Sequence, residues 1–360
     1  MIYLKNLNKQ FGPKIVLKDI NFHLPPHERV GLVGENGTGK TTLFRIIMRT
    51  VSADSGQVIF RKEAHAATLE QELDNFKGSV LERVVSGDNH FQIICNKMKE
   101  LESKMSANSY SDEVTSHYGK LQCEFERLNG YEREPKACAI LSGLGFSDDE
   151  MKKHLNEFSG GWRMRVEMAR LLLRNPDVLL LDEPTNHFDL KSVEWLEGFL
   201  KNYDGSLLLI SHDRRFLNSL VTRVIELNQG TLTSYPGNYD DYERLKQERK
   251  TQLISETKNQ QKRINEIERF VERFRAKNTK ATQVQSRIKM LEKMERVGTM
   301  THTKTVSFRF PQPARTGRIS MELNNVDKSY GDTIVYQNFS ITLERGHKVA
   351  FVGENGAGKS

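Results

Sequence analysis

The stretch Gly34-Glu35-Asn36-Gly37-Thr38-Gly39-Lys40-Thr41 decides the fold of this chain, because it fits the phosphate-loop pattern G-x-x-x-x-G-K-S/T. The apolar residues 30–33 before it predict a buried strand, and residues 42–47 after it predict the first turns of a helix. This order of strand, glycine-rich loop and helix is the context that a phosphate loop requires. The sequence therefore predicts an α/β domain with a phosphate-binding loop.

The residue types of this loop suit the binding of nucleotide phosphates. Glycines let the backbone aim several N–H groups at one point, and the N-terminus of the following helix adds positive potential. Lys40 supplies a mobile positive charge for the β- and γ-phosphates, and the hydroxyl of Thr41 is a ligand for Mg²⁺. The alternative, a chance match in a glycine-rich turn, is disfavoured by the flanking strand and helix. The nucleotide-binding residues predicted here are Gly34, Glu35, Asn36, Gly37, Thr38, Gly39, Lys40, Thr41 and Thr42.

The composition is that of a globular protein with more than one domain. The chain has 360 residues, of which 37% are apolar, an adequate share for globular cores. Its longest apolar runs are too short to span a bilayer, and its N-terminus lacks the pattern of a signal peptide. Cys95, Cys123 and Cys138 show no metal-ligand spacing, so we expect free thiols in a reducing cytosol. These observations predict a cytoplasmic protein.

The end of the chain repeats its beginning. When residues 321–360 are aligned with residues 2–41 without a gap, fifteen positions are identical. The chain therefore begins a second copy of its first domain and stops on the last residue of the second loop. Because the helix that should follow that loop is missing, we expect a C-terminally truncated fragment of a protein with two nucleotide-binding domains. The residues of the second loop are Gly353, Glu354, Asn355, Gly356, Ala357, Gly358, Lys359 and Ser360.

An aromatic residue lies at the same distance before each loop. Phe11 is 23 residues before Gly34, and Tyr330 is 23 residues before Gly353. A planar side chain at this offset is suited to stacking on adenine. The alternative is a core aromatic in a strand, and the recurrence of the offset favours adenine.

Residues from about 80 to 150 are predicted to form a helical insertion in the α/β domain. One helix of this insertion has an apolar stripe, which is more consistent with packing than with a binding site. Gln71, just before the insertion, follows a short predicted strand and is a candidate for holding Mg²⁺ and positioning water. The residues of the stripe are Val114, Tyr118, Leu121, Phe125 and Leu128.

Polar residues end two further predicted strands. Asp182 and Glu183 follow the apolar residues 178–181, and His212 follows residues 207–210. Sheets of α/β proteins place catalytic groups at the carboxyl ends of their strands. We therefore expect Asp182 to hold Mg²⁺, Glu183 to act as general base towards the attacking water, and His212 to reach the γ-phosphate. Solvated carboxylates and a capping or packing histidine are the alternatives.

The stretch Ser159-Gly160-Gly161-Trp162-Arg163-Met164-Arg165 leads into a predicted helix, with Ser159 as its N-cap. With the motifs above, it makes essentially the whole chain resemble the ATP-binding cassette (ABC) superfamily. The resemblance identifies residues 34–41 as Walker A, Gln71 as the Q-loop, residues 159–162 as the signature, residues 178–183 as Walker B, Asp189 as the D-loop and His212 as the H-loop.

More narrowly, the chain resembles the ABC-F family, soluble tandem-cassette proteins that act on the ribosome. Trp162 is one discriminating residue, because transporter cassettes usually carry glutamine there, and the next residues are Arg163, Met164 and Arg165. A second discriminating run is E-P-T-N-H-F-D-L at residues 183–190. Within it, Phe188 departs from the leucine that is commonest in the family, which is an apolar exchange.

The segment between the two cassettes is strongly basic. Residues 244–304 contain 17 Lys and Arg and 7 Asp and Glu, a net charge of +10, whereas the whole chain has +7. Two apolar stripes on either side of a turn at residues 276–281 predict a long antiparallel helical hairpin. The first stripe is Ile264, Ile267, Phe270, Val271 and Phe274, and the second is Val284, Ile288, Leu291 and Met294. Its basic end is suited to a nucleic-acid backbone, and a merely solvated linker is the alternative. The candidate RNA-binding residues are Arg269, Arg273, Arg275, Lys277, Lys280, Arg287 and Lys289.

The resemblance implies a first cassette at residues 1–238, a basic helical linker at residues 239–305 and the start of a second cassette at residues 320–360. It implies that ATP is held between the Walker A of one cassette and the signature of the other, so that residues 159–161 serve the second loop. It also implies that the linker reaches tRNA and rRNA. The expected function is an ATP-hydrolysing translation factor that uses ATP and Mg²⁺.

Two other functions fit the same motifs. An energy-coupling subunit of an ABC transporter would need separate membrane partners, and an ATP-gated scaffold in nucleic-acid repair would show DNA-stimulated hydrolysis. Because each ATP site needs two cassettes, we expect the 360-residue chain to have impaired ATPase activity. Self-association of two chains through their first cassettes is the alternative.

Overall fold

The computed structural model describes residues 1–62, 64–69, 78–86, 89–106, 112–127, 130–186, 188–274, 281–292, 308–309, 311, 317–331, 333–353 and 358. The chain forms two compact units. The first consists of Met1–Asp240 with Phe351–Ser360, and the second of Asp241–Ala350. The phosphate loop that follows residue 33 belongs to the first unit, and the basic segment belongs to the second.

The first unit alternates strands and helices. Its strands are β1 (Ile2–Phe11), β2 (Lys14–Leu24), β3 (Arg29–Val33), β4 (Ser55–Phe60), β5 (Ala66–Thr68), β6 (Val178–Asp182), β7 (Ser206–Ile210), β8 (Arg223–Asn228) and β9 (Thr231–Pro236). Its helices are α1 (Lys40–Ile47), α2 (Val80–Val85), α3 (Asn89–Ser106), α4 (Asp112–Arg127), α5 (Gly130–Gly143), α6 (Asp148–Lys152), α7 (Gly160–Arg174), α8 (Leu190–Lys201) and α9 (Arg214–Leu220).

The central sheet has six strands in the order β5-β6-β7-β3-β8-β9. The first five run parallel to their neighbours, and β9 is antiparallel to β8. The apolar residues of β6 and β7 are buried, which confirms the buried strands predicted at residues 178–181 and 207–210. Because β6, β7 and β3 are adjacent and parallel, their carboxyl ends meet at one edge of the sheet. That edge carries Gly34, Asp182 and His212.

A second, antiparallel sheet has the order β2-β1-β4 and packs with α1 and the central sheet in one core. Its Leu4 and Leu17 share one core with Leu43 of α1 and Leu180 of β6. Strands β1 and β2 are long and contain bulges. At these bulges Asn6 and Asp19 have φ values of +46°, which shifts the alternation of inward and outward side chains.

Helices α2 to α6 occupy the segment from Val80 to Lys152. In it, α3 and α4 pack on each other through a small core of their own, formed by Ile94, Met98, Leu101 and Leu121. Val114, Tyr118 and Phe125 of the predicted stripe pack against this core, so the stripe is confirmed as a packing face. Leu128 lies outside the described residues.

The second unit contains most of the long helix α10 (Tyr239–Phe274), then α11 (Ala281–Glu292), β10 (Ile319–Tyr330) and β11 (Thr333–Glu344). On α10, Ile264 and Ile267 are buried, as the first predicted stripe requires. On α11, Ile288 of the second stripe remains 37% exposed. The turn predicted between these helices begins in residues 275–280, which lie outside the described part of the chain.

The hairpin β10–β11 repeats the hairpin β1–β2 in register and in its bulges. Tyr330 pairs with Thr333 as Phe11 pairs with Lys14, at the same alignment offset of the sequence repeat. The bulges again hold residues with positive φ, each at the position equivalent to one in the first hairpin. These residues are Asn325 and Asn338, with φ of +51° each. The repeat found in the sequence is therefore also a repeat of backbone conformation.

No helix in the described ranges has both the length and the apolar character needed to cross a membrane.

Candidate nucleotide site

The phosphate loop lies between β3 and α1, where the sequence predicts it. Gly37 and Gly39 have φ values of +77° and +105°, which residues with a side chain rarely adopt. A Cβ at Gly39 would lie 2.3 Å from Cγ1 of Val16, and a Cβ at Gly34 would lie 2.5 Å from the carbonyl oxygen of Leu227. Backbone conformation therefore favours glycine at positions 37 and 39, and space requires it at positions 34 and 39.

Lys40, the first residue of α1, folds back over the loop. Its ammonium donates hydrogen bonds to the carbonyl oxygens of Gly34 at 2.7 Å and of Glu35 at 3.0 Å. The hydroxyl of Thr38 also donates to the Glu35 carbonyl, at 2.9 Å. The positive charge of Lys40 and the N-terminus of α1 are thus directed at the same small volume, where they can bind an anionic group.

Thr41 and Asp182 bring Walker A and Walker B together. The Thr41 hydroxyl donates a hydrogen bond of 2.8 Å to Oδ2 of Asp182 at the end of β6. Both groups are oxygen donors of the kind that Mg²⁺ prefers, and Mg²⁺ sites commonly use one or two carboxylates together with substrate phosphates. The two side chains therefore fit a magnesium site beside the loop.

Glu183 lies next to Asp182 in a strained conformation, with φ of +50°. Its backbone N–H donates to the carbonyl of Ile210, and its Oε2 accepts a hydrogen bond of 3.2 Å from the N–H of His212. Its Oε1 is buried, accepts no hydrogen bond from the described residues, and lies 3.5 Å from Nε2 of His212. The end of β7 therefore holds both the backbone and the carboxylate of Glu183.

Burial raises the pKa of the Glu183 carboxyl, because it disfavours the charged form. The N–H and ring of His212 oppose this rise, the Asp182 carboxylate adds to it, and Lys40 opposes it. A carboxylate with a raised pKa is a stronger proton acceptor, which is what a general base for water needs.

The signature residues lie at the start of α7. Ser159 occupies the N-cap position as predicted, but its side chain makes no capping hydrogen bond. Instead, Arg163 holds the turn by donating to the carbonyls of Phe158 and Asn156, both at 2.9 Å. Because Arg163 holds the turn, the described hydrogen bonds do not use the Ser159 hydroxyl, and Ser159 and Gly160 are exposed. Another molecule can therefore contact them.

Asp189, the predicted D-loop residue, is the N-cap of α8. Its Oδ1 accepts the N–H of Ser192 at 2.9 Å, and its Oδ2 forms an ion pair of 3.3 Å with Arg165 of α7. Burial disfavours the charged carboxyl, but the Ser192 hydrogen bonds and the Arg165 guanidinium outweigh it and hold the pKa of Asp189 below its ordinary value. The sequence does not predict the part played by Arg165.

Comparison with known proteins places these motifs in one family. Two family models described as "ABC transporter" match residues 17–186 and 225–310. "Probable ATP-binding protein YheS" of Escherichia coli strain K12 is 37% identical over 363 residues, covering 100% of this chain and 55% of the relative. "ATP-binding protein Uup" of Haemophilus influenzae is 34% identical over 364 residues, again covering 100% of this chain and 55% of the relative.

"ATP-binding cassette sub-family F member 3" of Homo sapiens is 32% identical over 363 residues, which cover 100% of this chain and 50% of that protein. The chain belongs to the ABC-F family. It therefore carries an ATP-binding ABC domain of the P-loop fold. It spans about half the length of the curated relatives it matches.

In this ABC-F chain, the two aromatic residues predicted to meet adenine are both exposed. Phe11 is 51% exposed and Tyr330 is 68% exposed, so neither is a core aromatic. In each case a lysine two residues earlier covers the ring, with Lys9 at 5.2 Å and Lys328 at 4.8 Å from the ring centre. The lysine is identical in both copies of the sequence repeat, so the repeat indicates this pairing of lysine and aromatic ring. The periodicity of apolar residues does not indicate it.

Several predicted site residues lie outside the described part of the chain. Gln71 lies outside it. Of the second loop, only Gly353 and Gly358 are described. The other residues of the second loop, which lie outside, are Glu354, Asn355, Gly356, Ala357, Lys359 and Ser360.

Two of the candidate RNA-binding residues have described side chains. Arg269 is exposed on α10, and Lys289 is exposed on α11. Arg273 and Arg287 belong to the same helices, but their side chains lie outside the described set. The remaining candidates, which lie outside altogether, are Arg275, Lys277 and Lys280.

Proposed function

We propose that this chain hydrolyses ATP at the edge of the central sheet and acts on the ribosome as a translation factor in the cytoplasm. The observation that carries the ATPase part is the meeting of Thr41, Asp182, Glu183 and His212 at the ends of α1, β6 and β7. The observation that supports the ribosome part is the basic segment of residues 244–304, which lies between the two copies of one hairpin.

In the proposed hydrolysis, Lys40 binds the β- and γ-phosphates in place of its present carbonyl partners. Thr41 and Asp182 would hold Mg²⁺, which when bound neutralises charge on the phosphates. Glu183 accepts the proton of the attacking water, and its strained backbone and its contacts at the end of β7 keep the carboxylate in place. His212 keeps Glu183 oriented through its backbone N–H and its ring. Gln71 is proposed to assist at the water and the metal.

The proposed domain layout is a first cassette at residues 1–238, the linker at residues 239–305 and a second cassette beginning near residue 320. Phe11 would stack on adenine with the ring face that Lys9 leaves uncovered. Ser159, Gly160 and Gly161 would contact the nucleotide held by the second loop, and Tyr330 would serve that nucleotide as Phe11 serves the first. ATP would then bridge two cassettes, and their closure would move the linker.

The linker is proposed to bind tRNA and rRNA through their phosphates. Its net charge of +10 over residues 244–304 contrasts with the small negative remainder of the chain, since the total is +7. Exposed lysine and arginine side chains on helices bind a phosphate backbone without reading its sequence. Arg269 and Lys289 meet this requirement in the described part of the linker.

The test of this proposal is the salt dependence of ribosome binding. The product of the complete gene would be compared with a variant in which Arg269, Arg273 and Lys289 are replaced by glutamine, with ATP present. If the linker binds RNA, the slope of log affinity against log salt concentration should fall by about 0.7–0.9 for each lost phosphate contact.

A matched control replaces three exposed lysines of the first unit by glutamine, namely Lys62, Lys120 and Lys136. This control should leave the slope unchanged. Equal slopes for the two variants would contradict a specific role of the linker. Absence of ribosome binding by the wild-type protein at low salt, with ATP bound, would contradict the ribosome proposal and favour an energy-coupling role at a membrane.

A further inference from the structure

Arg165 is buried without exposed surface in the first turns of α7, six residues after Ser159. Its guanidinium lies between two aromatic rings, with Trp162 at 4.6 Å and Phe188 at 5.4 Å from its central carbon. Trp162 stands where transporter cassettes usually carry glutamine. Phe188 stands where the ABC-F family most often carries leucine. Both therefore contact one side chain, although they are 26 positions apart in the sequence.

The guanidinium of Arg165 also joins three segments by hydrogen bonds. Its Nη1 donates to the carbonyl of Leu144, just after α5, at 2.8 Å and to the hydroxyl of Ser192 at 3.2 Å. Its Nη2 pairs with Oδ2 of Asp189 at 3.3 Å. Gly145 has φ of +95°, and a Cβ there would lie 3.1 Å from Nη1, so the site is shaped closely around this group.

These contacts use properties that only arginine combines. A planar guanidinium can stack on aromatic faces and at the same time direct donors sideways at three acceptors. A lysine would keep the charge but would lose the planar stacking and at least one of the directed hydrogen bonds. The contacts are therefore a strong constraint on where Asp189 lies relative to α7.

The loop from Glu183 to Asp189 is held at both ends. At its start, the N–H of Glu183 donates to Ile210 of β7. Between these ends, the N–H of Asn186 donates to the Glu183 carbonyl and the N–H of Phe188 donates to the Thr185 carbonyl, while His187 lies outside the described residues. At its end, Asp189 is held by Arg165. Glu183 and Asp189 are only six positions apart, and the first residue of this short loop is strained.

We infer that Arg165 is a positioning residue that couples the signature turn to the general base Glu183. The same helix α7 carries Ser159, Gly160 and Gly161 at its N-terminus and Arg165 on its inward face. Movement of α7 when the signature meets a nucleotide would therefore reach the loop of Glu183 through Arg165 and Asp189. This inference rests on the proposed ATP hydrolysis at this site.

The experiment compares two conservative variants of buried arginines that anchor the same helix. Arg165→Lys disturbs the coupling. Arg83→Lys disturbs a buried ion pair of 2.8 Å between α2 and Glu167 of α7, away from the loop of Glu183. Both variants are made in the product of the complete gene, and kcat and KM for ATP hydrolysis and the melting temperature are measured.

We expect Arg165→Lys to lower kcat by about tenfold to a hundredfold, as small misplacements of a catalytic group do, with KM within about twofold of wild type. Arg83→Lys should lower the melting temperature to a similar extent but leave kcat within about twofold. A kcat of Arg165→Lys equal to that of Arg83→Lys would overturn the inference and reduce Arg165 to a structural role.

A second readout does not depend on activity. Hydrogen–deuterium exchange of the peptide that covers residues 183–189 should be faster in Arg165→Lys than in wild type, and unchanged in Arg83→Lys. Unchanged exchange in Arg165→Lys would overturn the coupling even if the protein hydrolyses ATP. A wild-type protein without hydrolysis, but with faster exchange in Arg165→Lys, would contradict the proposed function and leave the mechanical coupling supported.

Discussion

The hydroxyl of Thr41 donates a hydrogen bond of 2.8 Å to the carboxylate of Asp182. The two residues are 141 positions apart, and they meet because β3, which leads to the phosphate loop, and β6 are both parallel neighbours of β7. This contact joins two oxygen groups of the kind that Mg²⁺ prefers, and Asp182 directly precedes Glu183.

Replacement of Lys40 by methionine should abolish tight ATP binding. The variant keeps the length of the side chain but removes the positive charge at the centre of the loop. Loss of one charge-assisted contact to phosphate should raise the Kd for a fluorescent ATP analogue by about tenfold or more. The matched variant Lys62→Met, at an exposed lysine outside the loop, should bind as wild type does. Equal loss in both variants would contradict the assignment of the loop.

Glu183→Gln should bind ATP but hydrolyse it about 100-fold more slowly, because a general base is lost. As the proposed general base, Glu183 would act only when ionised, and burial raises the pKa of its carboxyl. The acid limb of the pH profile of kcat should therefore lie above the ordinary range of a glutamic acid. A kcat that stays constant down to pH 4 would contradict this role of Glu183.

The same raised pKa predicts an effect on stability. Since the folded state holds its proton to higher pH than the unfolded state, folding stability falls as pH rises from the unfolded pKa through the folded one. Glu183→Gln removes this loss, so its melting temperature should exceed that of wild type at pH 7 to 8 and approach it below about pH 4. A variant that melts below wild type at pH 7 would show that the carboxylate stabilises the fold.

Asp189→Asn should destabilise the folded state, because it weakens the pair with Arg165. The expected loss of unfolding free energy is about 1.5–3 kcal/mol, the range for hydrogen bonds to charged groups. Since the pKa of Asp189 is lowered on folding, its stabilisation is complete above the unfolded pKa and is lost as pH falls through the folded one. The difference between variant and wild type should therefore shrink in acid.

Asp213→Asn is the control for Asp189→Asn. Asp213 caps α9 by accepting the N–H groups of Arg215 and Phe216, much as Asp189 caps α8. If the N-cap alone accounted for the effect at Asp189, the two variants would lose equal stability. A clearly larger loss at Asp189 is expected from the ion pair.

Phe11→Ala should weaken ATP binding by about 1–3 kcal/mol, the range for stacking of a base on an aromatic side chain. Binding of inorganic triphosphate should not change, because it has no base. Tyr3→Ala is the control, since Tyr3 is an exposed aromatic residue on the same strand. If both ligands lost affinity in Phe11→Ala, the ring would be supporting the loop and not the adenine.

The sequence predicts well those parts of the fold that local patterns decide. Short local patterns are enough to predict the phosphate loop from its glycine motif and strands β6 and β7 from their apolar runs. The carboxylates are found because they directly follow β6. The long strands β1 and β2 are less visible, because bulges at Asn6 and Asp19 break the alternation that marks a strand. The stripe of α4 is visible because helical spacing is kept along its length.

The parts of the site that remain hidden in the sequence depend on tertiary contacts. Arg165 and Asp189 are separated by 24 positions, and no periodicity connects them. A buried arginine in an inward helix face is also against the usual distribution of charge, so only the structure shows that two rings and three acceptors stabilise it. The pairing of Lys9 with Phe11 could be found in the sequence, because the repeat preserves it as Lys328 with Tyr330.

The most direct test of the account is co-sedimentation of the Glu183→Gln protein, made from the complete gene, with ribosomes in the presence of ATP or ADP. If ATP binding controls attachment, ATP held unhydrolysed at the site of Lys40 and Asp182 should drive the protein into the ribosomal pellet, and ADP should not. Equal amounts in the pellet with both nucleotides, or none with ATP, would contradict the claim that ATP binding controls attachment to the ribosome.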